Sequence, residues 1–170
     1  MANLGNESSV SNTDVWLTPP DLLSKLGIFD LDPCAPVNRP WDTAAVHYTI
    51  ENDGLASPWH VLPGSNVRVW MNPPYGRGMD QWMKKLKNHV ANGHGTGIAL
   101  IFARTETRTF FDHVWDDANA ILFIKGRLRF CTPDGLPAGT AGSPSVLIAY
   151  GESEIETLRN SGIPGKLVIL

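Results

Sequence analysis

Val67-Arg68-Val69-Trp70-Met71-Asn72-Pro73-Pro74-Tyr75 is the stretch on which the reading of this chain turns. Val67 to Met71 alternates β-branched and large residues, which predicts a strand. Two prolines then end it abruptly. Neither carries an N–H, so neither extends a strand or sits comfortably inside a helix, yet their carbonyls can still accept hydrogen bonds. A stiff loop of this kind at the carboxyl end of a central strand faces the crevice in which open sheets bind ligands.

Working outward, Met79 to Val90 predicts a helix, with Met79, Trp82, Met83, Leu86 and Val90 on one side and the lysines mostly on the other. Gly93 to Gly97 breaks it, and Gly97 to Phe102 is a nearly continuous apolar run, as expected of a strand buried on both faces. Thr107 to Trp115 predicts a short helix. Ala120–Ile124, 126–130 and Ser145–Tyr150 predict further strands, the last closing the pattern. Upstream, Asp21 to Leu26 has helical spacing, with prolines at its start and Gly27 as its stop. Ile28 to Leu31 reads as a brief strand. The stretch from there to Trp59 is irregular, with only His47 to Ile50 resembling a strand. Recurrent strand, loop and helix argue for one α/β domain over residues 14–170, a central mostly parallel sheet flanked by helices. Residues 1–13 are small and polar and are expected to be a flexible N-terminal segment.

Composition sets the outer bounds. A domain of 170 residues buries about 70% of the surface its unfolded chain exposes. Its 42% hydrophobic content and mean hydropathy of -0.12 are those of a soluble globular protein. With no apolar stretch long enough to span a bilayer and no basic leader or signal segment, the expectation is a cytoplasmic protein without membrane contact. Two cysteines, Cys34 and Cys131, and five dispersed histidines supply no metal-ligand spacing, so no metal is expected. The net charge of -3 argues against a protein that coats nucleic acid. It leaves room for one basic face: Arg77, Lys84, Lys85 and Lys87 cluster after the central motif, and Lys125, Arg127 and Arg129 form a second group.

The loop also suggests a chemistry. An amino nitrogen conjugated to an aromatic ring is a poor nucleophile, because its lone pair is delocalised, and its protons grow more acidic as a methyl group arrives. The side-chain oxygen of Asn72 and the carbonyl of Pro73 can accept those two N–H bonds, steering the nitrogen and stabilising the developing charge. Tyr75 offers an aromatic face on which a base stacks. The same residues also make an ordinary strand end followed by a turn.

The segment Val69 to Gly76 resembles the catalytic motif of amino-group DNA methyltransferases, specifically the small Dam-like N6-adenine methyltransferases of bacteriophages and prophages. Trp16 with Thr18-Pro19, Leu31 to Ala35, Asp53-Gly54-Leu55 with Trp59, Ala103 to Thr107 with Phe110-Phe111, and Ile124 to Phe130 resemble further segments of that family, in order, across about residues 14 to 150. The resemblance implies a Rossmann-like fold dependent on S-adenosyl-L-methionine, an adenine-specific DNA methyltransferase, and a site of action in the cytoplasm of a bacterial host cell. Asp32-Pro33-Cys34-Ala35-Pro36 replaces the glycine-rich turn of larger methyltransferases, a departure from the wider pattern.

On this reading Asn72, Pro73 and Tyr75 are catalytic, and Pro74 adjoins the acceptor. Asp32 meets the methionine ammonium, followed by Pro33; its alternative use is to turn the chain. Thr18 and Pro19 close over the same region by a hydroxyl and a carbonyl, and Trp16 lies over the cofactor. Asp53 contacts the adenosyl part, with Glu51 as a fallback, although Asn52-Asp53-Gly54 is equally a turn sequence. Arg104, Arg127 and Arg129 are candidates for DNA phosphates or the acceptor pocket, or are plain solvated arginines. No separate target-recognition domain is apparent, which assigns specificity to the loops 36–60 and 131–144 or to a homodimer. Cytosine N4, RNA and a protein glutamine present a similar planar nitrogen, and a nonenzymatic nucleic-acid-binding protein is the alternative outside enzymes.

Overall fold

A computed structural model describes residues 15–60, 66–76 and 78–170; the expected loose segment 1–13 and Arg77 lie outside the described residues. The elements run α1 (Pro20–Ser24), β1 (Leu31–Asp32), β2 (Val46–His47), β3 (Val67–Met71), α2 (Met79–Ala91) and β4 (Gly95–Phe102). They continue with α3 (Arg108–Phe110) prolonged by a π-helical turn (Phe111–Trp115), β5 (Ala120–Ile124), β6 (Arg129–Cys131), β7 (Pro137–Thr140), β8 (Ser145–Tyr150), α4 (Glu152–Asn160) and β9 (Gly165–Ile169).

Seven strands form one sheet in the order β2-β1-β3-β4-β8-β5-β9, while β6 and β7 pair separately. β1 lies parallel to β2 and β3, and β3 parallel to β4; β8 is antiparallel to both β4 and β5, and β9 to β5. Strands β1 to β5 therefore all run one way and β8 and β9 return. The expected mostly parallel sheet holds for direction but not for pairing, because β8 enters between β4 and β5 and β9 adds to β5, which together make half of the neighbouring pairs antiparallel. Alternation along β3 divides the core. Val67, Val69 and Met71 pack with Met83 and Leu86 of α2 and with Phe110 and Val114. Trp70 packs on the other face with Leu22, Leu23 and Leu158, under α1 and α4.

Three differences from the sequence reading have physical causes. The strand expected at Ile28–Leu31 moves to Leu31–Asp32, since Ile28 is exposed and Phe29 turns to pack its ring on Trp70. The stretch 126–130 gives only Arg129–Cys131, paired with β7 outside the main sheet, so the expected loop 131–144 contains a strand of this hairpin. The chain also does not close at Tyr150: α4 and β9 follow.

α4 escapes the helical pattern because one of its core contacts is a charge. Glu154, 1% exposed, accepts both Nε and Nη2 of Arg68 at 2.7 Å and the Thr96 hydroxyl at 2.8 Å. Arg68 also donates to the carbonyls of Ile28 and Leu26 and lies 4.2 Å above the Phe29 ring. One guanidinium thus ties β3, α4 and the segment before β1 together.

The connections set the position of the cleft. β1 leads outward to β2, while β3 leads the other way through α2 to β4. Their carboxyl ends part at a topological switch point, where open α/β sheets bind ligands.

Candidate active site

A cleft of about 730 Å³ opens at those carboxyl ends, within the range of small-molecule sites. Trp16, Thr18, Asp32, Pro33, Asp53, Asn72, Pro73, Pro74 and Tyr75 all line it. Segments far apart in sequence thus meet at one place. Pro19 does not reach the cleft: its carbonyl takes the N–H groups of Leu22 and Leu23 at the start of α1.

Asn72 follows the last residue of β3, so the sheet fixes its backbone. Its Nδ2 donates to the Trp16 carbonyl at 3.1 Å. That bond orients the amide and turns Oδ1 to the acceptor role, with the Tyr75 hydroxyl 3.5 Å from it. The Trp16 carbonyl is held in turn, because Leu17 exchanges two backbone hydrogen bonds with Cys131 of β6. The small hairpin therefore positions the residue that positions Asn72. Burial pushes the Tyr75 phenol well above its ordinary pKa, with the nearby Cys34 adding to the shift; this side chain acts as a neutral ring.

Asp32 ends β1 and is 3% exposed. Oδ2 accepts the Thr43 hydroxyl at 2.5 Å and Oδ1 the Cys34 N–H at 3.1 Å. Burial raises its carboxyl from 3.8 to about 6; the Thr43 hydroxyl, the Cys34 amide and the Arg39 guanidinium oppose that shift without cancelling it. A carboxyl whose folded pKa is raised favours the fold while protonated, and this contribution is lost as pH rises through about 6. Asp32→Asn, which keeps the neutral shape, is therefore expected to be more stable than the parent at pH 7.5, by on the order of 1–3 kcal/mol. The difference should vanish near pH 4 in thermal melts; equal melting at both pH values would contradict the raised carboxyl.

Asp53 also lines the cleft, with φ +46° and its Oδ1 taking the Ala56 N–H at 3.2 Å. Gly54 beside it admits no side chain, since a Cβ there would lie 1.8 Å from the Pro33 carbonyl oxygen. Lys85 donates to the carbonyls of Gly54, Leu55 and Ser57. Lys87 pairs with Asp117 at 2.6 Å. Lys85 and Lys87 of the basic cluster after the central motif thus hold loops, while Lys84 is exposed.

These segments and their spacing are those of one family. The model of the DNA N-6-adenine-methyltransferase (Dam) family matches residues 5–153. The chain belongs to the Dam family. The DNA N-6-adenine-methyltransferase of Escherichia phage T1 is 28% identical over 119 residues, 68% of this chain and 46% of the relative. The chain spans about half the length of that curated relative. No solved structure matches significantly.

Within this Dam-family cleft, sequence reasoning passed over several residues. Thr43 and Arg39 come from the irregular stretch between β1 and β2, where no helix forms and the loop folds back over Asp32. Arg39 pairs with Asp42 at 3.4 Å and donates to the Pro36 carbonyl. Trp41 and Pro133 also line the cleft, and the hairpin turn at Gly135 leaves no room for a Cβ, which would fall 2.8 Å from Pro40. The stretches 36–60 and 131–144, expected to supply specificity, therefore meet over the cleft. Arg104, Arg127 and Arg129 are exposed and do not line it. Arg104 and Arg127 follow the carboxyl ends of β4 and β5, which puts them on the same sheet edge as Asn72.

Proposed function

We propose that this chain transfers a methyl group from S-adenosyl-L-methionine to the exocyclic N6 of adenine in DNA, through a single minimal Rossmann-like methyltransferase domain. The observation that carries the reading is the fixed orientation of Asn72, whose Nδ2 is held by the Trp16 carbonyl at the switch point. Membership of the Dam family directs the choice toward adenine in DNA.

The residues fit the donor. Asp32 supplies an anion for its ammonium, Arg39 a cation for its carboxylate, and Trp16, Thr18, Pro33 and Asp53 a mixed apolar and polar lining for its adenosyl part. When bound, S-adenosyl-L-methionine supplies an electrophilic methyl on sulfur. Asn72 Oδ1 and the Pro73 carbonyl would accept hydrogen bonds from the two N–H groups of the adenine amine, so the lone pair is turned toward the donor side as positive charge develops on nitrogen. One of the two amine protons is released to solvent once the methyl has passed from sulfur to nitrogen. Tyr75 holds the base by its ring face, and Pro74 shapes the approach. Since adenine in a duplex hides this amine, the base is extruded first. Arg104 and Arg127 meet the phosphates from the same edge, and Arg129 from the β6–β7 hairpin. The setting is the cytoplasm of a bacterial host; among the described residues no helix is long and apolar enough to cross a membrane.

Two measurements follow. Arg39→Ala is expected to weaken S-adenosyl-L-methionine binding roughly 10- to 100-fold in calorimetry, while leaving its decarboxylated analogue unaffected; equal losses for both would contradict the carboxylate contact. Expression of the chain in a host lacking adenine methylation is expected to place N6-methyladenine in genomic DNA, and not to do so with Asn72→Ala. Methylation of cytosine N4 alone would overturn the adenine assignment.

A further inference from the structure

Tyr75 stacks on Phe102, with ring centroids 4.2 Å apart and planes 14° from parallel. Within its own loop Tyr75 has its hydroxyl 3.5 Å from Asn72 Oδ1, and the Gly76 carbonyl after it takes the Met79 N–H; neither contact fixes the plane of the ring. Pro73 and Pro74 have no N–H with which to pin the loop. Gly76 behind it takes φ +121°, with nothing within 4 Å of where a Cβ would stand. Phe102, by contrast, belongs to β4 and pairs in register with Ser145 of β8. The parallel register Met71↔Ala99 carries β4 three residues further, so Phe102 runs alongside the catalytic loop. Phe102 occupies one face of the Tyr75 ring, and Tyr75 lines the cleft while Phe102 is not among its lining residues.

We propose that Phe102 is a positioning residue of the acceptor site: it backs the Tyr75 ring from the rigid sheet and keeps the opposite face presented for the incoming adenine. This rests on the reading of Tyr75 as the base-stacking residue. A ring on a loop pinned by neither proline needs such a wall, because stacking on a base requires one orientation of the Tyr75 plane. Phe102 is not among the residues lining the cleft assigned to the donor, so its effect is expected on the DNA side of the reaction.

The test measures methylation of unmethylated DNA by the full chain while DNA and S-adenosyl-L-methionine are varied separately. Phe102→Leu and Phe102→Met keep an apolar side chain on β4 but lose the flat face. Each is expected to raise KM for DNA roughly 3- to 10-fold, with KM for the donor and the melting temperature close to those of the parent. Phe102→Tyr, which restores a ring, is expected to recover the parental KM for DNA. Unchanged KM for DNA in both aliphatic variants, or a parallel rise in both KM values, overturns the proposal. A fall in KM for DNA also overturns it, since Phe102 would then compete with the base. Absence of N6-methyladenine from the parent overturns the proposed function and this inference with it; activity in the parent with indifferent variants overturns this inference alone.

Discussion

Asn72→Ala is expected to lower kcat for adenine methylation by roughly 10²–10³-fold, as removal of a preorganised group facing developing charge does elsewhere, while leaving the affinity for S-adenosyl-L-methionine essentially unchanged. The separation follows from geometry. Asp32 and Arg39, assigned to the amino-acid end of the donor, stand at the end of β1 and on the loop after it, whereas Asn72 follows β3. Alanine removes the acceptor for an amine proton and leaves the Trp16 carbonyl without its donor. Asn72→Asp separates these two losses: it retains acceptor oxygens but sets one against the Trp16 carbonyl. It is expected to keep more turnover than alanine and less than asparagine. Rapid-quench turnover paired with donor titration checks both, and ordinary turnover in Asn72→Ala would remove Asn72 from the mechanism.

Glu154→Ala is expected to be the most destabilising single change, costing about 3–5 kcal/mol, because it leaves the Arg68 guanidinium deprived of its bidentate partner beside the core. For a domain of this size that corresponds to a fall in melting temperature of roughly 6–20 °C. The pair lies at the end of β3 opposite Asn72, so the folded fraction should retain the parental KM for the donor. Glu154→Gln, which can still bond Thr96 and Arg68, is expected to lose distinctly less. Thermal melts of the three proteins decide it. A Glu154→Ala protein as stable as the parent would mean that the network of Arg68, Thr96 and Glu154 does not hold α4 to the sheet.

That network also shows where the sequence was hard to read. A run such as Val67 to Met71 announces a strand because burial acts on every second residue, and the two prolines after it announce the end. The loop proposed as catalytic was legible for the same reason: Asn72 and Tyr75 are placed by a strand that is itself legible. Glu152, Glu154 and Glu156 instead alternate as one acidic group, and nothing in their spacing reveals that the middle one is buried against an arginine 86 residues away. β9 is an edge strand of exposed and half-buried residues, with a correspondingly weak apolar pattern. In the cleft, Asp32 and Asp53 were reached through their resemblance to segments of the Dam-like family, Asp32 also by its place at the carboxyl end of a strand. Arg39 and Thr43 were not, because their positions depend on a loop that folds back over Asp32 without a helix, and such a fold has no period. Phe102 was visible as a strand residue but not as the wall behind Tyr75, a relation that exists only once β3 and β4 are paired.

The most direct test of the account is the identity of the methylated product. Purified protein would be incubated with S-adenosyl-L-methionine labelled in its methyl group and with unmethylated DNA, RNA and protein acceptors in parallel, followed by digestion and mass spectrometry. The account predicts label in N6-methyladenine from DNA, dependent on Asn72. Label confined to cytosine N4, to RNA or to a glutamine side chain would contradict it.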